Sequence, residues 1–193
     1  MKFYYTTTAG TEEEGYTRQE PERSLGGFRS GSPVPNGQLN SLFGDISKYT
    51  EEQAKDEYIA LILKNETGGD ITDINVYFTF PEDSYSTFEI AAVDLNVDSE
   101  GRNYMENVPD YNSSPYFATF VEADGIANKQ NIGYLVDDAE VGIWIKRVID
   151  TEAIATDREN FIYKENESDS QYVQKELNTE DSIVINLEWT WFL

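Results

Sequence analysis

Asp94, Asn96, Asp98 and Glu100 alternate along the chain as the first oxygen ligands of a calcium loop do. An EF-hand loop also needs glycine at its sixth position and glutamate at its twelfth. Those places hold Ser99 and Met105, and Glu106 comes one residue late. The stretch therefore reads as an ordinary solvated loop, and no metal ligand is assigned. Asp137, Asp138 and Glu140 form a second acidic group. It reads as a turn before a strand, with a metal or a lysine partner as the alternative. Paired carboxylates can also hydrolyse glycosides, which needs an acid and a base or nucleophile at a set separation. Among 37 acidic residues some pair is always eligible, and no motif selects one. The chain has no Cys and no His, which excludes disulfides, thiolate nucleophiles, zinc-finger sites and histidine bases. No catalytic residue and no cofactor are assigned, and the chain reads as non-enzymatic.

Aromatic residues offer a different chemistry. With 13 Tyr and three Trp, the chain has rings enough to stack on sugar faces. Tyr104, Tyr111, Tyr116 and Phe117 lie in or near a long polar stretch, the best place for such a surface. Packing the loop down is the plainer role for them. A carbohydrate- or receptor-binding module is the alternative function carried forward.

Charge narrows the partners. Asp and Glu outnumber Lys and Arg by 37 to 14, a formal net charge of −23. Nucleic-acid binding needs cations against phosphates, so neither nucleic acid nor an anionic membrane is an expected partner. Basic partners or divalent cations are what charge alone suggests. No apolar run approaches the roughly 18 residues that span a membrane. The opening MKFYYTTTAG has an apolar run too short for a signal peptide. The sequons at Asn65, Asn112 and Asn166 read as chance.

The elements that must position these groups read as strands. Tyr58 to Leu63 is continuously apolar, the mark of a strand covered on both faces. Gly68-Gly69 suits a tight turn, and Ile74, Val76, Phe78 and Phe80 then alternate up to Pro81. The stretch Tyr58–Phe80 therefore predicts a β-hairpin at the centre of the fold. Further strands are predicted over Phe88–Val93, Tyr116–Glu122, Asn131–Val136, Glu140–Ile149, Phe161–Tyr163 and Ser182–Leu193. Before the hairpin, Leu39, Leu42, Phe43 and Ile46 share one face of a short helix, and Thr50 with Gln53 could cap a second.

The fold class predicted is all-β: an antiparallel β-sandwich, Ig-like or jelly-roll-like, with one or two short helices before the central hairpin. Residues 1–23 read as an N-terminal arm, polar and glutamate-rich after Phe3, Tyr4 and Tyr5. Residues 24–193 read as the sandwich domain, with a long insertion at 94–131 and a charged excursion at 164–181.

Several motifs in fixed order carry a resemblance. They are Leu25-Gly26-Gly27, Ser32-Pro33-Val34-Pro35, Leu39-Asn40-Ser41-Leu42-Phe43 with Asp45 and Ser47, Glu57-Tyr58, and Lys64-Asn65. This order resembles a recurrent pattern in virion structural proteins of tailed bacteriophages, where an N-L-F-D-like helix leads to an E-Y-R-like strand ending in K-N. Ile143-Trp144-Ile145-Lys146-Arg147 resembles the W-V-R-R-like strand of the same group. The similarity covers roughly residues 24–80 and 140–162. Ile59 stands where the pattern has a basic residue, and Gly44 precedes Asp45.

The resemblance implies a non-enzymatic component of a phage head, neck or tail, made in the bacterial cytoplasm and localised to the virion. Its implied partners are other virion proteins (capsid, neck or tail subunits), with self-association in the assembly. Phe3–Tyr5 and Leu187–Leu193 are then the candidate docking elements. Removing residues 1–15 is expected to leave the domain folded and to weaken assembly.

Overall fold

The computed structural model describes residues 1–8, 23–36, 42–43, 56–79, 86–149, 160–165 and 182–191. Twelve strands run through them. They are β1 (Lys2–Thr7), β2 (Gly27–Pro33), β3 (Glu57–Lys64), β4 (Ile71–Thr79), β5 (Ser86–Val93) and β6 (Asn96–Val97). Then come β7 (Asn103–Met105), β8 (Val121–Glu122), β9 (Gln130–Leu135), β10 (Glu140–Ile149), β11 (Asn160–Glu165) and β12 (Ser182–Trp191). Ile126–Asn128 is a 3-10 turn, and no α-helix occurs among the described residues.

The protein is all-β. One sheet has eight strands in the order β6-β7-β2-β1-β3-β10-β5-β8, and a second has four in the order β11-β12-β4-β9. Strand pairing is antiparallel except between β11 and β12, which run parallel. The predicted short helices fall mostly outside the described residues. Of their apolar face only Leu42 and Phe43 are described, and both are buried.

The central hairpin is not a hairpin. β3 pairs with β1 and β10, whereas β4 pairs with β12 and β9 in the other sheet. The chain reverses through Gly68, at φ 81°, but crosses between sheets as an arch. β9 and β10 are joined by a second arch, since they too belong to different sheets. Both crossings meet at Asn65, which is fully buried. Its side-chain amide donates to the carbonyls of Gly69 at 2.8 Å, Val136 at 3.0 Å and Leu135 at 3.1 Å. Its amide oxygen accepts from the Thr67 hydroxyl at 2.7 Å. Its backbone N–H donates to Ala139 O, and its carbonyl accepts from Asp138 N.

Of the predicted arm over residues 1–23, residues 2–7 form a strand. β1 lies between β2 and β3 inside the large sheet. Phe3 and Tyr5 point into the main core and are 0% exposed. They are therefore unavailable as docking residues. Leu187 and Trp189 of β12 are likewise buried in the core. The glutamate-rich residues 9–22 lie outside the described residues.

The reading of β3 as a strand covered on both faces holds. Ile59, Leu61 and Leu63 enter the main core, and Tyr58, Ala60 and Ile62 enter a second one. β10 divides in the same way, with Ile143 and Ile145 on the first face and Trp144 on the other. The main core draws on both sheets, since Ile74, Val76 and Phe78 of β4 and Ile185, Leu187 and Trp189 of β12 join it. Burying a large apolar side chain contributes about 1.5–3 kcal/mol, so these rows dominate stability.

Candidate functional site

The second core is closed by the chain between β7 and β8. Met105, Val108, Ala118 and Phe120 pack over Tyr58 and Trp144, and the Phe120 ring lies 5.5 Å from that of Tyr58. The segment is fastened at several points. Tyr58 N donates to Tyr111 O at 2.6 Å, and Val108 N to Leu25 O at 3.0 Å. Asn112 donates its side-chain amide to Asp56 O at 2.9 Å. Asp110 accepts from Asn112 N and the Ser113 hydroxyl, fixing the turn between them. The 94–131 stretch is thus bound to the sheet, and it supplies β6, β7 and β8.

Beyond these fastenings the segment presents two rings to solvent. Tyr116 is 86% and Phe117 75% exposed, and they meet edge-to-face with centroids 4.9 Å apart. Beside them opens a cleft of about 350 Å³. Pro115, Phe117 and Ala118, the strand residues Ala92 and Val93 with Asp94, and buried Trp144 line it. Asn96 and Glu106 complete its polar lining, and among the described residues no Lys or Arg lines it. Among the described residues, the carboxylates of Asp94 and Glu106 form neither an ion pair nor a side-chain hydrogen bond.

The remaining acidic candidates are occupied. Asp98 accepts from Arg102 Nε at 2.8 Å and from the backbone N–H groups of Glu100 and Arg102. The Arg102 backbone N–H, then the Arg102 guanidinium, hold its carboxyl below the usual range. Glu100 also faces Arg102, at 3.4 Å. The 94–100 alternation therefore does not converge on a cation, because its third member closes the β6–β7 turn instead. Among the described residues no group of three or more acidic side chains is placed to hold a metal ion.

Asp137, Asp138 and Glu140 form the turn into β10, with a lysine partner. Lys64 reaches Asp138 at 2.8 Å and depresses its carboxyl pKa by that hydrogen bond. Glu140 pairs with Arg29 at 2.7 Å, and Asp137 accepts from Gly68 N. The Lys64–Asp138 and Gly68–Asp137 contacts clasp the two arches together, and Glu140 ties β10 to β2.

The aromatic candidates divide. Tyr104 packs on Phe28 at 5.8 Å, and Tyr111, 37% exposed, acts through its carbonyl. Only Tyr116 and Phe117 of the four project fully. Trp144 and Glu106 join the cleft without any sequence signal for it. Trp144 reads as one face of a strand and Glu106 as a failed calcium ligand, and no spacing rule sets them near Asp94.

The described residues of the phage resemblance lie mostly in the strands of the large sheet, and Trp144 of that set also lines the cleft. Glu57 and Arg147 are cross-strand partners in β3 and β10, and Lys64 and Asn65 lie at the far end of β3. Ser24, next to Leu25-Gly26-Gly27, is fully buried and donates its hydroxyl to Ala60 O at 2.5 Å. The same hydroxyl oxygen accepts from Thr6 N at 2.8 Å. Gly26 and Gly27 have φ near +101° and +93°, and a Cβ on either would lie 2.1 Å from Glu106 O or 2.3 Å from Thr7 O. The backbones approach too closely there for any side chain. The chain matches no protein-family model, no curated protein and no solved structure.

Proposed function

We propose that this protein is a non-enzymatic structural component of a tailed-phage particle, docking to or forming part of a multi-subunit shell or ring. In this reading the two sheets form a β-sandwich of the Ig-like or jelly-roll-like kind, supported by a main core that draws on both. One observation carries the functional reading. Among the described residues, several that bear the resemblance hold structural places: the Gly26-Gly27 approach, the Glu57–Arg147 pair, and Lys64-Asn65 at the arches. Parts of a resemblance spread over distant stretches thus fall where the scaffold is held, which favours a shared scaffold over scattered coincidence.

The test is quantitative mass spectrometry of purified phage particles from cells making this chain. A copy number near that of the major capsid protein assigns it to the head. A copy number fit for a few rings assigns it to the neck, tail or baseplate. Absence from particles overturns the reading.

A carbohydrate-binding module is the second reading, favoured by the exposure of Tyr116 and Phe117. Its test moves to these residues, because Tyr104 is packed against Phe28. Saturable glycan binding lost on Tyr116→Ala with Phe117→Ala supports it, and no binding across a broad glycan panel retires it.

A further inference from the structure

We infer that the cleft beside Phe117 is a receptor for an arginine side chain presented by a basic segment of a partner protein. The inference deepens the docking reading and rests on it for the partner being a protein.

The molecule shows what an arginine needs. Arg29 stacks over Tyr4 at 4.8 Å and pairs with Glu140. Arg102 stacks over Phe28 at 4.5 Å and pairs with Asp98. Arg147 stacks over Phe43 at 4.8 Å and pairs with Glu57. Each combines a ring face, which attracts the guanidinium through its quadrupole, with a carboxylate that accepts its N–H donors. The cleft holds the same two components. Phe117 offers a ring 75% exposed, and Asp94 and Glu106 offer carboxylates with no side-chain partner among the described residues. Among the described residues, the cation is what its lining lacks.

Size and charge agree. About 350 Å³ accommodates a guanidinium, its methylene stem and some adjoining backbone, at the small end of ligand sites. The Asn96 side-chain carbonyl adds an acceptor for a group with five donors. Val93, Pro115, Ala118 and Trp144 in the lining give the methylenes apolar contacts. A net charge of −23 steers basic segments toward the molecule and repels acidic ones. A sugar uses this cleft less well. The edge-to-face pair, at 86°, presents no common flat platform, and the two carboxylates select a cation over a neutral ring.

The experiment titrates the isotopically labelled full-length chain with a capped Gly-Arg-Gly peptide, read by NMR at the Trp144 indole N–H and the Ala118 amide. The expected result is a saturable shift of both signals. The same peptide with citrulline, which keeps the shape and loses the charge, binds at least about tenfold more weakly, and so does the arginine peptide to the Asp94→Asn/Glu106→Gln variant. Both substitutions are on exposed side chains and conserve shape, so the fold is kept. Phe117→Leu weakens binding independently of the charges. No saturable shift by roughly 10 mM peptide overturns the inference. So do equal shifts with citrulline, or shifts produced by a neutral oligosaccharide and not by the peptide. The titration needs no phage, so a failed cleft and a chain absent from particles are separate outcomes.

Discussion

Arg147 and Glu57 face each other across β10 and β3, and each is almost fully buried. Arg147 Nε donates to Glu57 Oε2 at 2.7 Å, and a terminal guanidinium nitrogen donates to the same oxygen. The Phe43 ring covers the guanidinium. The pair thus joins two central strands and the segment preceding β3. Removing one partner strands a buried charge. Arg147→Met is expected to cost about 3–5 kcal/mol, measured as a shift in the urea midpoint. Arg147→Met combined with Glu57→Gln should cost less than the sum of the singles, because the second change relieves the charge left by the first.

Asn65 holds both arches through one side chain. Asn65→Ala leaves the Leu135 and Val136 carbonyls and the Thr67 hydroxyl without that partner. A loss of about 2–4 kcal/mol follows from several hydrogen bonds of this kind, and equilibrium denaturation measures it. Hydrogen exchange should rise first at residues 135–139 and 65–70, which the side chain ties together.

Deleting residues 1–8 removes β1 from the interior of the large sheet, along with the buried Phe3 and Tyr5. The gap separates β2 from β3, and no edge strand can close it without re-pairing. The truncated chain is expected to be unfolded or insoluble. A dispersed amide spectrum from it would show that β1 is dispensable.

The pH dependence has two limbs. Burial lowers the Lys146 pKa, but Asp56 at 3.1 Å and Glu89 at 3.2 Å outweigh it, and the net shift is upward. A raised folded-state pKa contributes stability that is complete below the ordinary lysine value and lost as pH rises through the folded one. Burial raises the Glu66 pKa, but the Tyr4 hydroxyl and Lys2 outweigh it, and the net shift is downward. That contribution is present above the ordinary glutamate value and lost as pH falls through the depressed one. Lys146→Met should therefore flatten the alkaline limb and Glu66→Gln the acid limb. Urea midpoints across pH, compared with the parent chain, test both.

Local pattern determined much of the strand content. The alternation of Val141, Ile143 and Ile145 against Trp144 and Lys146 marks β10, and the unbroken apolar run of β3 marks a strand buried on both sides. These signals are legible because side-chain direction in a strand has period two, whatever the strand pairs with. The turn after Asn65 is legible too, since glycine at positive φ reverses the chain. Which strands that turn joins is another matter. A hairpin and an arch use the same turn chemistry, and only the competition of β10 and β12 for the neighbouring edges separates them. β1 was hidden for a related reason: its few apolar residues gain strand character only between β2 and β3. The cleft depended most on tertiary structure. Asp94, Glu106, Phe117 and Trp144 are far apart in sequence, and hydrogen-bonded pairing of strands, not any local preference, brings them around one space.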